Sequence, residues 1–430
     1  MKTNRIKYLA TCVLLGSLSL SSFAQKRYTL DECRQLALQN NIAMRTAANN
    51  VEAARQERKE AFTKYFPNVS ASGTAFNSNT GLLQMDMGPD MQMSLVKNGI
   101  MGGITATQPL FAGGQIVNAN KLAKVGEEVS RFQQEQSENE VKLTVEQYYW
   151  QVVTLKEKRK TLLSLKEMLE RLHRDVEVAV SAGVTNRNDL LQVQLKKNDV
   201  ESSLVNLENG LSMSKMVLAQ YMGCEGKEVD VEDAVLVSNE VPTFPVELRK
   251  DHTASLVLTP EYRLLQSNVK ASELQKRLAV GKNLPTVAVG AGYMYDNLMD
   301  HSHPFGIAFA TVSVPLSGWW GGSHVIKKQK LQLRNAESQL ADHSELLVIR
   351  MQKAWNDLED AYKQILIARS SIEQSTENLR LNEDYYRAGT TTMSDLLDAQ
   401  TMFRQSHDKY VEAYSQYNLK ILEYRQATGQ

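Results

Sequence analysis

The chain has no net charge, because its 49 lysine and arginine residues are balanced by 49 aspartate and glutamate residues. A basic surplus is what draws a protein to nucleic acid or to an acidic membrane, and here there is none overall. We therefore predict no nucleic-acid partner.

Long apolar stretches are also missing after residue 24, since no segment reaches the roughly 20 residues that a membrane helix needs. If the chain enters a membrane, it must do so as strands. The sequence likewise lacks a nucleophile–base constellation, a metal-ligand helix and a phosphate loop. We predict that the protein is not an enzyme and binds no cofactor.

The first residues are typical of a secretory signal peptide. Three cations precede the short apolar stretch 9–20, and Ser22-Phe23-Ala24 is a small-x-small cleavage motif. Residues 1–24 are therefore predicted to be removed, which leaves Gln25 as the first mature residue. A lipoprotein signal ending at Cys12 is the alternative.

Cysteine is scarce, with three in the whole chain. Only Cys33 and Cys224 would remain after cleavage. In an oxidising compartment they could form a disulfide, and the alternative is two small buried side chains.

Proline is scarce too, and long proline-free segments belong to two copies of one pattern, 109–194 and 315–400, at a constant offset. A duplication of this length indicates a structural unit that is used twice. We predict a first repeat at 25–221, an inter-repeat equatorial segment at 222–258 and a second repeat at 259–430.

Each repeat contains two segments with period-two alternation, which predicts four strands of about ten residues. The segments 78–101 and 298–304 between paired strands are predicted to be loops. The apolar sets carry aromatic residues near the strand ends, as a membrane-interface girdle would. These alternating sets are Val69, Ala71 and Ala75; Ile104 and Ala106; Val287, Val289, Ala291, Tyr293 and Tyr295; and Phe305, Ile307 and Phe309.

The long proline-free segments show apolar residues at alternating spacings of three and four, the pattern of coiled-coil packing. A continuous helix from Gly114 to Ser181 would be roughly 100 Å long. Helices of that length suit a rod or tube.

Four strands cannot close a barrel, and an open sheet edge in lipid leaves unpaired amides. Several copies must therefore complete the barrel together. Two copies would give a filled barrel of eight strands and three copies an open one of twelve. The small inward residues Ser70, Ser72, Gly290 and Gly292 favour the open version.

The duplicated layout resembles the TolC family of outer-membrane factors. The resemblance rests on Thr29-Leu30-Asp31-Glu32, Phe66-Pro67, the strand exit Gln108-Pro109-Leu110-Phe111-Ala112-Gly113-Gly114, the turn Arg387-Ala388-Gly389-Thr390-Thr391 and Asp395-Leu396-Leu397-Asp398-Ala399-Gln400. It implies a mixed α and β membrane protein: a long coiled-coil α-helical barrel and a transmembrane β-barrel completed by a homotrimer.

The resemblance also implies a place in the cell outer membrane, with an extension into the periplasm and contact with outer-membrane lipid. Such a channel exports solutes with a periplasmic adaptor protein and an inner-membrane transporter. The sequence does not identify the exported substrate. The alternative function is a periplasmic or surface coiled-coil structural protein without a pore.

The two Ala-Gly turns are predicted to form the far helix tips, where glycine supplies the turn and polar residues cap the returning helices. By the resemblance, these tips contact the adaptor. The residues assigned to this contact are Gly183, Val184, Thr185, Gly389, Thr390, Thr391 and Thr392.

The resemblance further assigns Tyr386, Asp395 and Asp398 to a constriction of the periplasmic entrance. Asp398 corresponds to Gln192 in the first repeat, so a shared capping role does not explain it. Thr391 stands where a basic gating residue can occur in the family, which puts a salt-bridge lock in doubt. The alternative is that these carboxylates are solvated helix-surface groups.

Methionine and histidine cluster in the predicted loops, and soft-metal binding is one interpretation. A flexible loop is the other. The segments are Met85-Asp86-Met87, Met91-Gln92-Met93 and His301-Ser302-His303.

Overall fold

The computed structural model describes residues 27–81, 83–86, 92–224, 229–232, 241–298, 301–316 and 318–430. The predicted signal peptide, with Cys12 and Gln25, lies outside the described residues. Of the methionines named in the first predicted loop, Met87 and Met91 lie outside them as well.

Helices account for most of the described chain, and two of them are very long, with 67 and 70 residues. The first begins one residue after the predicted start and ends at the predicted residue. Both are free of proline, so nothing interrupts their hydrogen bonding. The helices are α1 (Leu30–Asn40), α2 (Ile42–Thr63), α3 (Gln115–Ser181), α4 (Arg187–Tyr221), α5 (His252–Ser255), α6 (Pro260–Gly281), α7 (Gly318–Arg387) and α8 (Met393–Ala427).

The strands are β1 (Arg27–Tyr28), β2 (Asn68–Asn77), β3 (Leu83–Asp86), β4 (Gln92–Leu95), β5 (Asn98–Ala112), β6 (Asp230–Val231), β7 (Thr286–Leu298) and β8 (His301–Ser313). The predicted loops at 78–101 and 298–304 are therefore wrong in part, because strand residues extend into both. Glycine, asparagine and histidine at these strand ends hide the alternation.

Strands β2, β5, β7 and β8 form one antiparallel sheet in that order, with β2 and β8 at its edges. The register aligns Ser70, Thr105, Gly292 and Ile307 in one row across the four strands. Directly paired residues share a face of an antiparallel sheet. The predicted small residues Ser70 and Gly292 thus do lie on the same face.

The next row runs through Ala71, Ile104, Tyr293 and Gly306 on the opposite face. Ile307, with Phe305 and Phe309 at the same alternation, therefore does not share the face of Tyr293 and Tyr295. The apolar set of β8 thus lies on the face opposite to the apolar set of β7. Its aromatic residues cover the glycines of β7 instead, since the Phe309 ring lies over Gly290.

The chain divides into two compact units, each made of three segments. The described part of the first unit is 27–44, 138–224, 229–232, 241–249 and 353–425, and the second unit consists of the described residues in 45–137, 250–352 and 426–430.

Within the first unit, the predicted apolar seams form the core. Val145, Val152 and Leu169 of α3 are fully enclosed, and so are Leu358 and Ile365 of α7. Their burial confirms the prediction from the three-and-four spacing, which keeps these side chains on one stripe of each helix.

Cys33 and Cys224 lie in the same unit as buried free thiols. Burial raises the pKa of the Cys33 thiol to about 12, and the charge of Glu32 adds to the effect. The two cysteines therefore match the description of small buried side chains.

The inter-repeat segment packs part of its length on a helix of the first unit. The ring of Phe244 lies 5.4 Å from that of Trp355 in an edge-on arrangement. In the same segment, Asp230 forms ion pairs with Lys156 and Lys215, and the Lys215 ammonium lies 2.9 Å from the Asp230 carboxylate. These contacts hold the connection between the repeats against their helices.

Threonine side chains cap two of the helix starts. Thr29 and Glu32 form a reciprocal capping box at α1, and the Thr259 side chain caps α6 ahead of Pro260. In the part of the chain described, no helix is both long and apolar enough to cross a membrane.

The second unit places α3 directly against the end of α6. Gly113, at φ +60°, lies so close to Gly281 that a Cβ on either residue would clash with the other's backbone. Both positions therefore require glycine. This contact fixes where the first long helix leaves the sheet.

Candidate functional site

The turn between α3 and α4, here called the first tip (182–186), reverses the chain through a left-handed glycine. Gly183 has φ +72°, and the amide of Val184 donates to the Ala179 carbonyl at 2.8 Å. The Asn186 side chain then accepts the amide of Asp189 at 3.0 Å and starts α4. These local bonds satisfy helix-end groups that have no partner within the helices.

The second tip (388–392) joins α7 to α8 with the same backbone. Gly389 has φ +70°, and the amide of Thr390 donates to the Tyr385 carbonyl at 2.9 Å. The Thr392 hydroxyl accepts the amide of Asp395 at 3.2 Å, and the Asp395 carboxylate accepts the amide of Thr392 at 3.1 Å. This is a reciprocal capping box.

Asp395 is the central hydrogen-bond acceptor of the second tip. Its carboxylate also accepts the hydroxyls of Thr392 at 2.6 Å and Thr391 at 3.0 Å. These bonds, led by the Thr392 hydroxyl, lower the pKa of Asp395. The stabilisation from its ionised form is present above its ordinary pKa and is lost as the pH falls through the lowered one. The predicted capping role of Asp395 is therefore visible in its contacts.

Asp398 lies one turn further along α8 and is exposed. Among the described residues it makes no hydrogen bond or ion pair. Its neighbours Leu397 and Ala399 are buried, so the helix presents the carboxylate outward while it packs on either side. Asp395 and Asp398 are three residues apart and lie on one face of the helix.

The repeat counterpart of Asp398 has a different environment. Gln192 is half-buried, and its amide oxygen is enclosed without a hydrogen-bond partner among the described residues. The duplication therefore preserves the backbone but not the exposure of the side chain at this place.

Tyr386 connects the two tips. It is half-buried, and its hydroxyl interacts with the Thr185 side chain. The Thr185 hydroxyl donates to Asp189 at 2.5 Å, so a carboxylate lies behind this contact. Burial raises the pKa of Tyr386, the charge of Asp189 raises it further, and Thr185 lowers it in part.

An apolar cluster beneath the tips holds all four helix ends together in the first unit. Tyr386 packs against this cluster, and so do Val180 and Leu190. The buried members near the tips are Val176, Val193, Leu379, Met393, Leu396 and Leu397.

The outer surface of the first tip is unusually apolar. Val184 at the turn is 80% exposed, and Leu191 and Leu195 on α4 are 51% and 64% exposed. Exposed apolar residues grouped this way mark a contact surface. Leu191 and Leu195 are not among the predicted contact residues, although their positions off the apolar seam of α4 are a signal for them.

The tips contain turns, caps and carboxylates, and this arrangement performs no covalent chemistry. Among the residues that the structure describes, no group of three histidine, cysteine or acidic side chains is placed to hold a metal ion. Met87 and Met91 of the loop considered for metal binding lie outside the described residues, and His303 lies 4.0 Å from Asp296 on a neighbouring strand.

Comparison with known families gives one match that spans most of the chain. The family described as outer membrane efflux protein matches residues 33–224 and 256–430. Comparison with curated protein sequences gives no significant match.

Solved structures with the same fold include three outer-membrane proteins. The channel OprN is 18% identical with a TM-score of 0.79, and the match covers 93% of this chain and 89% of OprN. CusC is 14% identical with a TM-score of 0.80, covering 94% and 93%. The Campylobacter jejuni CmeC channel is 14% identical with a TM-score of 0.78, covering 93% and 85%. At these identities the likeness shows the fold.

Proposed function

Because this chain belongs to the outer membrane efflux protein family, we propose that it is the outer-membrane channel of a tripartite export system. The protein lies in the outer membrane with a periplasmic extension, and it is a channel protein rather than an enzyme. Channels of this family are in general trimeric and work with an adaptor and an inner-membrane pump. Solutes would pass from such a pump through this channel to the outside.

The observation that carries the proposal is the four-stranded sheet with β2 and β8 at its edges. In lipid, each unpaired edge amide costs several kcal/mol, so these edges need strands from other copies. Three copies would pair β8 of one chain with β2 of the next and close a barrel of twelve strands. A barrel of that size leaves a lumen.

Native mass spectrometry in detergent tests the assembly, and planar-bilayer recording tests the pore. We expect three chains per particle and a steady ionic conductance. A stable folded monomer in lipid would reject the joint barrel. Trimers without conductance would favour the coiled-coil structural protein instead.

The exposed tips are the proposed docking surface for the periplasmic adaptor. Support comes from the apolar Val184 at the first tip and from the exposed Gly389 and Thr390 at the second. Thr185→Cys and Thr392→Cys should crosslink to the hairpin of the adaptor in cells. Ser203→Cys, which is exposed on α4 well away from the turn, is the matched control and should not crosslink. Crosslinking only at Ser203 would reject docking at the tips.

The constriction of the entrance is proposed for Tyr386, Asp395 and Asp398. Three copies of the exposed Asp398 would place three unpaired carboxylates around one axis. Such a ring attracts cations and disfavours anions. Asp395 would contribute less, because its carboxylate already accepts hydrogen bonds from Thr391 and Thr392.

A further inference from the structure

A groove of about 530 Å³ lies in the second unit between the end of α2 and the beginning of α3. Its lining combines cations with apolar and aromatic side chains. The residues are Arg55, Arg58, Lys59, Phe62, Tyr65, Val117, Asn120, Lys121, Lys124 and Glu127. Five cations and one carboxylate give this lining a net charge of +4.

The carboxylate is already neutralised within the protein. Glu127 is only 3% exposed and accepts Arg58 at 2.9 Å and Arg131 at 2.5 Å. The hydrogen bond from Arg58 is the main cause of a lowered pKa for Glu127. Glu127 therefore holds one arginine in place and cannot also compensate the lysines of the groove.

Three lysines of the groove lack any compensation. Lys59, Lys121 and Lys124 are exposed and form no ion pair within the part of the chain described. The two helices are held in register by Asn120, whose amide donates to the Ala61 carbonyl at 2.8 Å. The lysines thus converge on a groove whose walls are fixed, which favours an anionic ligand from outside the chain.

The groove lies just beneath the strands. Helix α2 ends at Thr63, five residues before β2 begins, and α3 begins at Gln115, three residues after β5 ends. At about 1.5 Å per residue, Lys59 and Lys121 lie within roughly 10 Å of their helix ends. The headgroup zone of a bilayer is about 5–8 Å thick on each side. Long lysine side chains span the remaining distance.

Aromatic residues lie on the membrane side of these cations. Phe62 packs edge-on against Tyr65 at 5.6 Å and against Phe66 at 5.7 Å. All three are at least 40% exposed. Exposed aromatic residues at a strand end are typical of the membrane–water interface, where a ring contacts acyl chains and headgroups together.

Charge is concentrated near the sheet although the whole chain is neutral. Four segments of fifteen residues each adjoin the sheet, and together they contain 13 lysines and arginines but only six acidic residues. These segments are 52–66, 115–129, 270–284 and 316–330. The net charge of the whole chain is therefore zero although the zone at the depth of the inner leaflet is positively charged.

From these observations we infer that the groove binds the headgroup of an anionic phospholipid from the inner leaflet of the outer membrane. Lys59, Lys121 and Lys124 contact the phosphate as point charges. Phe62 and Val117 contact the first part of the acyl chains. The inference depends on the outer-membrane location and is independent of any pump or adaptor.

Native mass spectrometry of the purified trimer, titrated with phosphatidylglycerol, tests the site. The combined variant Lys59→Gln, Lys121→Gln and Lys124→Gln should weaken lipid retention roughly tenfold or more, because each lysine near an anionic surface adds to the attraction. The matching lysine-to-arginine variant should retain the lipid. Lys121→Gln alone should give an intermediate loss, which covers the case of a triple variant that folds poorly.

The control is a triple variant outside the groove, Lys327→Gln, Lys328→Gln and Lys330→Gln, which removes the same charge near the sheet. It should leave lipid retention within about threefold of the original, since salt screens charges beyond about 8 Å. An equal loss in this control would overturn a defined site. Displacement of the lipid by inorganic phosphate would show a free-anion site instead. Dissociation of the trimer in the groove variant, with lipid retained, would assign the groove to a neighbouring copy. Failure of tip crosslinking leaves this test unaffected.

Discussion

Removing one hydroxyl group should loosen the proposed entrance without unfolding the protein. In Tyr386→Phe, the ring keeps its packing against the apolar cluster, but the hydroxyl that interacts with Thr185 is lost. Thr185 in turn donates to Asp189, so the Tyr386 hydroxyl lies at one end of a polar chain between the tips. A polar contact of this kind contributes about 1 kcal/mol net.

The magnitude depends on how the three copies act. If each copy opens alone, about 1 kcal/mol shifts its equilibrium roughly fivefold. If three copies open together, about 3 kcal/mol shifts it roughly 100-fold. Single-channel recording distinguishes the cases, since the first gives graded conductance levels and the second gives one larger level with longer open times. The midpoint of thermal unfolding should change little, because the ring stays packed.

Tyr385→Phe is the matched control. Tyr385 lies on the same turn, is 50% exposed, and its hydroxyl makes no hydrogen bond among the described residues. It should leave open times and conductance unchanged. Equal effects of the two variants, or no effect of Tyr386→Phe on gating, would refute the hydrogen-bonded chain as a restraint on the entrance.

Three further changes separate structural from functional roles. Asp398→Asn should reduce cation preference and block by multivalent cations at an unchanged unfolding temperature. Asp395→Asn should lower that temperature, because a neutral amide oxygen accepts the Thr391 and Thr392 donors more weakly than a carboxylate; equal effects on selectivity would contradict the distinction. Arg34→Gln leaves the buried Glu146 without its 2.5 Å partner and should destabilise folding by about 1–3 kcal/mol in denaturant titrations. Cys33, with its pKa raised to about 12, should resist alkylation at pH 8 in the folded protein but react after unfolding, and the stability linked to it should fall as the pH rises from about 9 to about 12; rapid labelling of the folded chain would contradict its burial.

The long helices were predictable because the signal is local and repeated. Proline is missing over the whole of α3, and apolar residues recur every three or four positions, so Val145 and Leu169 occupy the core as the spacing requires. The capping box of Thr29 and Glu32 is local as well, and it forms as expected. Both signals depend only on residues within one helix, so they predict its structure without knowledge of its neighbours.

The faces of the sheet were less predictable. Alternation within β8 separates Phe309 from Ala310, but it does not say which of them joins Tyr293 of the neighbouring strand. That choice depends on the register, and a shift of one residue exchanges the faces. Between β7 and β8 the register pairs Leu298 with His301, and the hydrophobic pattern alone does not predict that pairing.

The contact between the tips was also beyond the sequence. Tyr386 and Thr185 are 201 positions apart, and neither belongs to a motif that predicts a partner. Asp189 and Asp395 looked equivalent because both follow a tip glycine at the same distance. In the structure both accept the hydroxyl of the threonine four residues earlier, Thr185 or Thr391, but only Asp395 also accepts the amide and hydroxyl of Thr392 and so closes a capping box.

The difference between Gln192 and Asp398 indicates where the two repeats diverge in function. Both occupy the same place on a returning helix, and both helices begin with the same kind of turn. Gln192 turns its amide oxygen into the protein, whereas Asp398 is exposed and has no partner in the described chain. A side chain without contacts in its own chain contributes little to folding, so its charge acts on whatever lies outside. In a trimer this applies to three Asp398 residues at once, and their mutual repulsion is relieved only by cations. Hence the second repeat, rather than the first, is where we expect the entrance to select by charge.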